Sequence, residues 1–243
     1  MPANPRELFR LATLVGTMLA FTQAGTASAN PATFAQFIKA KAGNNYVFNN
    51  AGDGTGTFNS TGQVYFSFLD GTIPANDLTQ PLPNGPQLAN LTRTSSANTA
   101  VTCLGACVVG SSFVQVLSDA LVTIRRASDN ALLLNITANT ANLMGEIGGS
   151  AGSLQTSNPP NDLRFTSDFI NFSSATSLSR SISITSATPA FAVAPDGLLQ
   201  SFTAAGAGSF AVDYVPTSVP EPASLVLLSM SLMGFGLIRS YAK

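Results

Sequence analysis

Histidine and tryptophan are absent from this 243-residue chain. Without histidine, no side chain titrates near pH 7 at its ordinary pKa. That removes the usual general base of serine and cysteine hydrolases. Charge is also scarce. The 11 Lys+Arg and 12 Asp+Glu make up 9% of the residues, against about 25% in ordinary soluble proteins. A net charge of −1 supplies no basic surface for nucleic acid. The lysines are Lys39, Lys41 and Lys243 alone, which leaves little for a serine–lysine dyad. What the chain has instead is uncharged polarity: 27 Ser, 24 Thr and 18 Asn. Such a surface hydrogen-bonds water without charge, as the surfaces of many extracellular β-proteins do.

The first residues carry Arg6 and Arg10 against Glu7, and Leu11 to Phe21 is an uncharged run of 11 residues. A polar stretch follows and closes on Ala27-Ser28-Ala29. A positive start, a short apolar run and an A-x-A site make a secretory signal peptide over residues 1–29. Signal peptidase is expected to cut between Ala29 and Asn30, after passage through the Sec translocon. The alternative, a buried N-terminal helix, does not account for the order of the three parts. No cysteine stands at the cleavage point, which argues against a lipoprotein.

The other end reads Val219-Pro220-Glu221-Pro222-Ala223-Ser224, then an apolar stretch to Ile238, then a tail with Arg239 and Lys243. Pro222 to Ile238 is 17 residues without a charge, about 25 Å as a helix, the lower limit for a membrane span. The spacing predicts a transmembrane helix over 223–238, with Arg239 and Lys243 on the cytoplasmic side. Motif, apolar segment and basic end together resemble the PEP-CTERM sorting domain. The resemblance covers residues 219–243, and 216–218 reads as a short stem. It implies an exosortase as partner, membrane attachment before processing, removal of the tail, and delivery to the surface or matrix of a Gram-negative bacterium that makes exopolysaccharide. The family's basic cluster is represented here only by single charges at 239 and 243. A plain C-terminal anchor with a proline-rich stem is the alternative.

Between these signals, Asn30 to Ala42 reads as a short helix. Asn30 would cap it, Pro31 would open it, and Phe34, Phe37, Ile38 and Lys41 share one face. From Asn44 to Val215 the period is two. Val64, Phe66 and Phe68 alternate with polar neighbours, as do Leu178, Arg180, Ile182 and Ile184, and Phe210, Val212 and Tyr214. Ala120–Ala127 and Ala131–Ala138 flank Ser128-Asp129-Asn130 as a β-hairpin. Clusters of Gly, Asn, Asp and Pro, among them Ser157–Asp162 and Gly145–Gly152, separate the strands. The expected fold is all-β: an antiparallel β-sandwich, Ig-like or jelly-roll, with the short N-terminal helix (30–43), the sandwich (44–215) and the C-terminal transmembrane helix.

Cys103 and Cys107 form a C-x3-C pair, which in an exported chain reads as a disulfide around a tight turn. No metal site is expected, since neither a histidine nor a second cysteine pair is there to complete zinc coordination. Gly148-Gly149-Ser150-Ala151-Gly152 matches the G-x-S-x-G elbow, but the motif needs a histidine base and a following helix. Asn49–Gly54 could offer oxygens to Ca²⁺, or be a glycine-rich hairpin loop. Glu146 and nine Asp leave a carboxylate pair formally open, although turn Asp residues usually bond their own backbone. Arg125 and Arg126 fall on opposite faces of a strand. The sequons at Asn59, Asn90, Asn135 and Asn171 carry no weight in a bacterium. No cofactor and no catalytic residue is assigned. The expected function is a structural or adhesive protein of the cell surface or extracellular matrix, tied to exopolysaccharide or biofilm. The alternatives are a secreted carbohydrate-binding module and, on the strength of similar tails, an ice-binding one. Thr55/Thr57 and Thr92/Thr94 do not repeat regularly enough to favour the last.

Overall fold

The computed structural model describes residues 31–69 and 71–214. The signal peptide with its cleavage site at Ala27, Ala29 and Asn30, the sorting motif Val219–Ser224, the apolar stretch and Arg239 and Lys243 all lie outside the described residues.

Eleven strands follow one another: β1 (Ala32–Lys39), β2 (Tyr46–Asn50), β3 (Gly56–Phe68), β4 (Gln87–Ala97), β5 (Thr102–Cys103), β6 (Ser112–Arg126), β7 (Leu132–Glu146), β8 (Gly152–Asn158), β9 (Leu163–Thr166), β10 (Ala175–Thr188) and β11 (Phe202–Tyr214). Every pairing is antiparallel. The order runs β1-β3-β4-β6-β7-β8-β10-β11 and returns to β1. The sheet is therefore a closed eight-stranded barrel and not the expected sandwich. The ring closes where β11 pairs with β1, and its longest pairing is the β6–β7 hairpin, whose register runs from Ser112↔Glu146 to Arg125↔Leu132. Inward-apolar, outward-polar alternation is common to sandwiches and barrels. Which strand meets the last one is a non-local matter that alternation leaves open. Closure removes the open edges of a flat sheet except where β10 runs past the end of β8.

The expected N-terminal helix is also corrected. Residues 32–39 form strand β1, held between β11 and β3. The helical signal came from a β-bulge. The register slips between Thr33 and Ala35, so Phe34 and Ala35 both turn inward and Phe37 follows. An extra residue in a strand converts a period of two into a spacing of three, which mimics one face of a helix. Ile38, placed by the helical reading on the buried face, is 58% exposed. Among the described residues the only helical element is a single 3₁₀ turn, Ala75–Asp77, and no helix is long and apolar enough to cross a membrane.

Two positions of the ring are shared by broken strands. β2 continues the line of β1 between β3 and β11, with Tyr46 opposite Ser60 and Ala204. β9 continues β8 along β7. Pro159 and Pro160 stand between β8 and β9, and proline cannot donate to a ladder.

The interior holds two aromatic clusters. One, at the end where the chain enters and leaves, joins Phe34, Phe37, Phe66, Phe165, Phe172 and Phe210. The other, at the far end, joins Phe48, Phe58, Phe202, Phe191, Phe113 and the Tyr46 ring. On β3 the inward residue next to Phe58 is Ser60, before Val64 and Phe66 resume the apolar face.

Candidate functional site

Beyond Asn158 β10 keeps β11 on one side but loses its partner on the other. β8 pairs with β10 down to Asn158↔Leu178, whereas β9 pairs only with β7, over Asn135–Ala138. The wall splits there into a groove of about 640 Å³. Its floor is apolar: Phe165, Ile170 and Leu178 are buried, and Phe172 packs edge-on to Phe165 with ring centroids 5.6 Å apart. Its rim is polar: Asn158, Asp162, Arg164, Thr166, Ser173 and Thr176.

Several rim groups are already tied down. The Asn158 side-chain amide donates to the Leu163 carbonyl at 3.2 Å. Arg164 Nε donates to Asp162 Oδ1 at 2.9 Å, an ion pair with both partners well exposed, so its net contribution to stability is small. Asp162 is the only carboxylate in the lining. The two-carboxylate arrangement of glycoside hydrolysis is therefore not built in this groove. An apolar aromatic floor under hydroxyl and amide rims can hold the face of a sugar ring and its hydroxyls.

The sequence-predicted positions fall elsewhere. Cys103 and Cys107 are joined, with Cα atoms 5.3 Å apart. They clamp a loop between β5 and β6 at the end opposite the start of β1 and the end of β11, and Gly105 takes the positive φ of 86° its turn requires. This loop exposes Leu104, Val108 and Val109. Gly148–Ala151 is a strand-to-strand turn, held by Gly148 N–H to the Phe191 carbonyl (2.7 Å) and Ala187 N–H to the Ser150 carbonyl (2.9 Å). It is no nucleophile elbow.

In the Asn49–Gly54 loop the oxygens considered as Ca²⁺ ligands are used internally. Thr55 hydroxyl and N–H both donate to Asp53, holding its carboxyl below the usual range. Asp196, from the β10–β11 connection, accepts from Asn50 Nδ2 (3.0 Å), Gly54 N–H (3.2 Å) and Leu198 N–H (3.2 Å). The Asn50 bond is the main cause of its lowered pKa. No group of three potential ligands gathers among the described residues. Arg126 donates two hydrogen bonds to the Asp129 carboxylate (2.8 and 2.6 Å) and lies over the Phe169 ring, while Arg125 donates to the Asn130 carbonyl at 3.0 Å. Glu146 ends β7, away from the groove.

Two features escaped the sequence. Thr92 of the T-x-T pair stands in a cross-strand row with Thr61 and Thr123 on the outer wall, which only the register reveals. The groove residues come from β9, β10 and the loop between them. The signal for them was the Asn158–Asn161 interruption, two prolines between β8 and β9. No family model matches this chain, and no curated protein and no solved structure matches it either.

Proposed function

We propose that this chain is an exported structural or adhesive protein of the cell surface or extracellular matrix, sorted by an exosortase and working beside exopolysaccharide. The observation that carries this reading is the pairing of Ala32 with Val212. It brings the start of β1 and the end of β11 to one end of the barrel. The two points from which the export and sorting segments continue in sequence therefore lie at one end of the barrel, and the disulfide-clamped loop lies at the other. A closed ladder and an uncharged hydroxyl-rich wall suit a domain that works outside the cell.

A second reading, carbohydrate binding, is favoured by the groove, where Phe165 and Phe172 lie beneath Asp162, Arg164, Thr166 and Thr176. The two readings are compatible: a matrix protein can hold its polysaccharide there.

Fractionation tests both. Expressed in an exosortase-bearing host, the chain is expected in the polysaccharide matrix, released when the polysaccharide is digested. Recovery only from cytoplasm or periplasm would overturn the first reading. Binding of the purified protein to that polysaccharide is expected to weaken at least tenfold in Phe172→Ala. Unchanged binding would overturn the second.

A further inference from the structure

Two arginines are sealed inside the barrel. Arg93 of β4 and Arg180 of β10 are 1% and 2% exposed. Arg93 lies over the Phe58 ring at 4.4 Å, and its Nη1 donates to the Phe58 carbonyl at 3.3 Å. Its Nε and Nη2, and all three nitrogens of Arg180, have no hydrogen-bond partner among the described residues. Tyr46 and Ser60 add two more buried hydroxyls, which meet no partner at full hydrogen-bond geometry but lie close enough for Ser60 to act on the Tyr46 hydroxyl. The register gathers these groups. Arg93 stands opposite Ser60, Ser60 opposite Tyr46, and Tyr46 opposite Ala204. Arg180 approaches from β10, between Thr156 and Phe210.

Among the described residues no buried carboxylate balances them. The buried polar side chains are Ser60, Arg93, Ser95, Gln115, Thr156 and Arg180. Burial lowers the Arg93 pKa to about 9, helped by the charge of Arg180, and that of Arg180 to about 10. Both guanidinium groups therefore stay charged at neutral pH. Burial pushes Tyr46 up to about 12, against the pull of both arginines, so it supplies no negative charge there. Two like charges in a low-dielectric interior are strongly destabilising unless paired. Water offers acceptor oxygens but no countercharge. The salt bridges Arg126–Asp129 and Arg164–Asp162 lie on the surface and cannot serve.

We propose that the barrel interior binds a compact inorganic anion, of chloride size, held by the guanidinium groups of Arg93 and Arg180 with the hydroxyls of Tyr46 and Ser60. The ion neutralises the pair and accepts the hydrogen bonds the protein leaves unmade. Its small size follows from the surroundings. Gly206 leaves no room for even a Cβ against the Tyr46 ring, and Phe58 covers Arg93 on one side. The ion is enclosed as the strands close around it, so it exchanges slowly and acts as part of the fold.

The test uses bromide as the probe. The full chain is unfolded, refolded in bromide and crystallised, and anomalous scattering is measured. A bromide peak within hydrogen-bonding distance of both guanidinium groups is expected. Water alone between them, or bromide found only outside the barrel, overturns the proposal. In solution, at constant ionic strength and with bulky gluconate as the balancing anion, each tenfold rise in bromide is expected to raise the unfolding midpoint by roughly 3–6 °C. The double variant Arg93→Met, Arg180→Met is expected to lose that dependence while remaining folded, since an apolar replacement of both charges removes the need for the ion. A midpoint indifferent to bromide in the native chain, or a dependence retained in the double variant, is equally decisive against the proposal. The bromide map of the native chain decides without any variant.

Discussion

The Phe37 ring lies against Gly208, filling the space in which any side chain at 208 would stand. Phe37 in turn stacks on Phe210, with ring centroids 5.9 Å apart. Tyr46 uses Gly206 in the same way. These glycines of β11 let large rings cross the barrel where a Cβ would collide. Gly208→Ala is therefore expected to cost about 1–3 kcal/mol, the usual range for overpacking, measured as a lower urea midpoint with an unchanged slope. Combined with Phe37→Leu, the loss is expected to fall short of the sum of the single changes. Strict additivity would mean that the ring and the glycine do not compete for the same space.

The β2–β3 loop and the β10–β11 connection meet at Asp196. Its pKa is lowered in the fold by Asn50, with the N–H groups of Leu198 and Gly54 adding to the effect. A depressed carboxyl pKa means that the unfolded chain binds the proton more readily. Its contribution is present above the ordinary pKa of 3.8 and is lost as the pH falls through the lower folded value. Asp196→Asn should flatten that part of the acid limb of the stability profile and raise hydrogen exchange at Gly54 and Leu198. An acid limb identical to the native one would rule out this role.

The Cys103–Cys107 bridge closes a very short loop. Chain-entropy arguments give at most about 2 kcal/mol for so small a ring. Reduction should leave the barrel folded at 25 °C and make the exposed Leu104 to Val109 segment newly sensitive to protease. Global unfolding on reduction would show that the bridge supports the β5–β6 end more widely than its size implies.

Under the proposed sorting by an exosortase, Glu221 with the prolines at 220 and 222 is the segment expected to be recognised, since proline disfavours both helix and sheet. Mass spectrometry of the mature protein is expected to show Asn30 as its first residue and loss of Leu225–Lys243. Glu221→Ala, or Ala at both prolines, should stop tail removal and leave a longer, membrane-associated form. Delivery of these variants to the surface at mature size would reduce the motif to a stem.

The alternation of Val64, Phe66 and Phe68, and of Leu178, Arg180, Ile182 and Ile184, determined by itself that these segments are strands with one buried face, because the side-chain period of a strand is local. It even pointed Arg180 inward. The hairpin at Ser128–Asn130 was equally local: Asn130 adopts the positive φ of 61° its turn demands. The Cys103–Cys107 pair needed only short spacing. The tertiary structure alone decided the rest. Closure depends on β11 returning to β1 across the whole chain, a contact no window of residues contains. The same return supported Phe34 and Phe37 as strand residues against their helix-like spacing. Only the assembled ring could bring Arg93 and Arg180, 87 positions apart in the sequence, into one enclosed interior. Burial and charge there are properties of the closed barrel, and neither strand carries them alone.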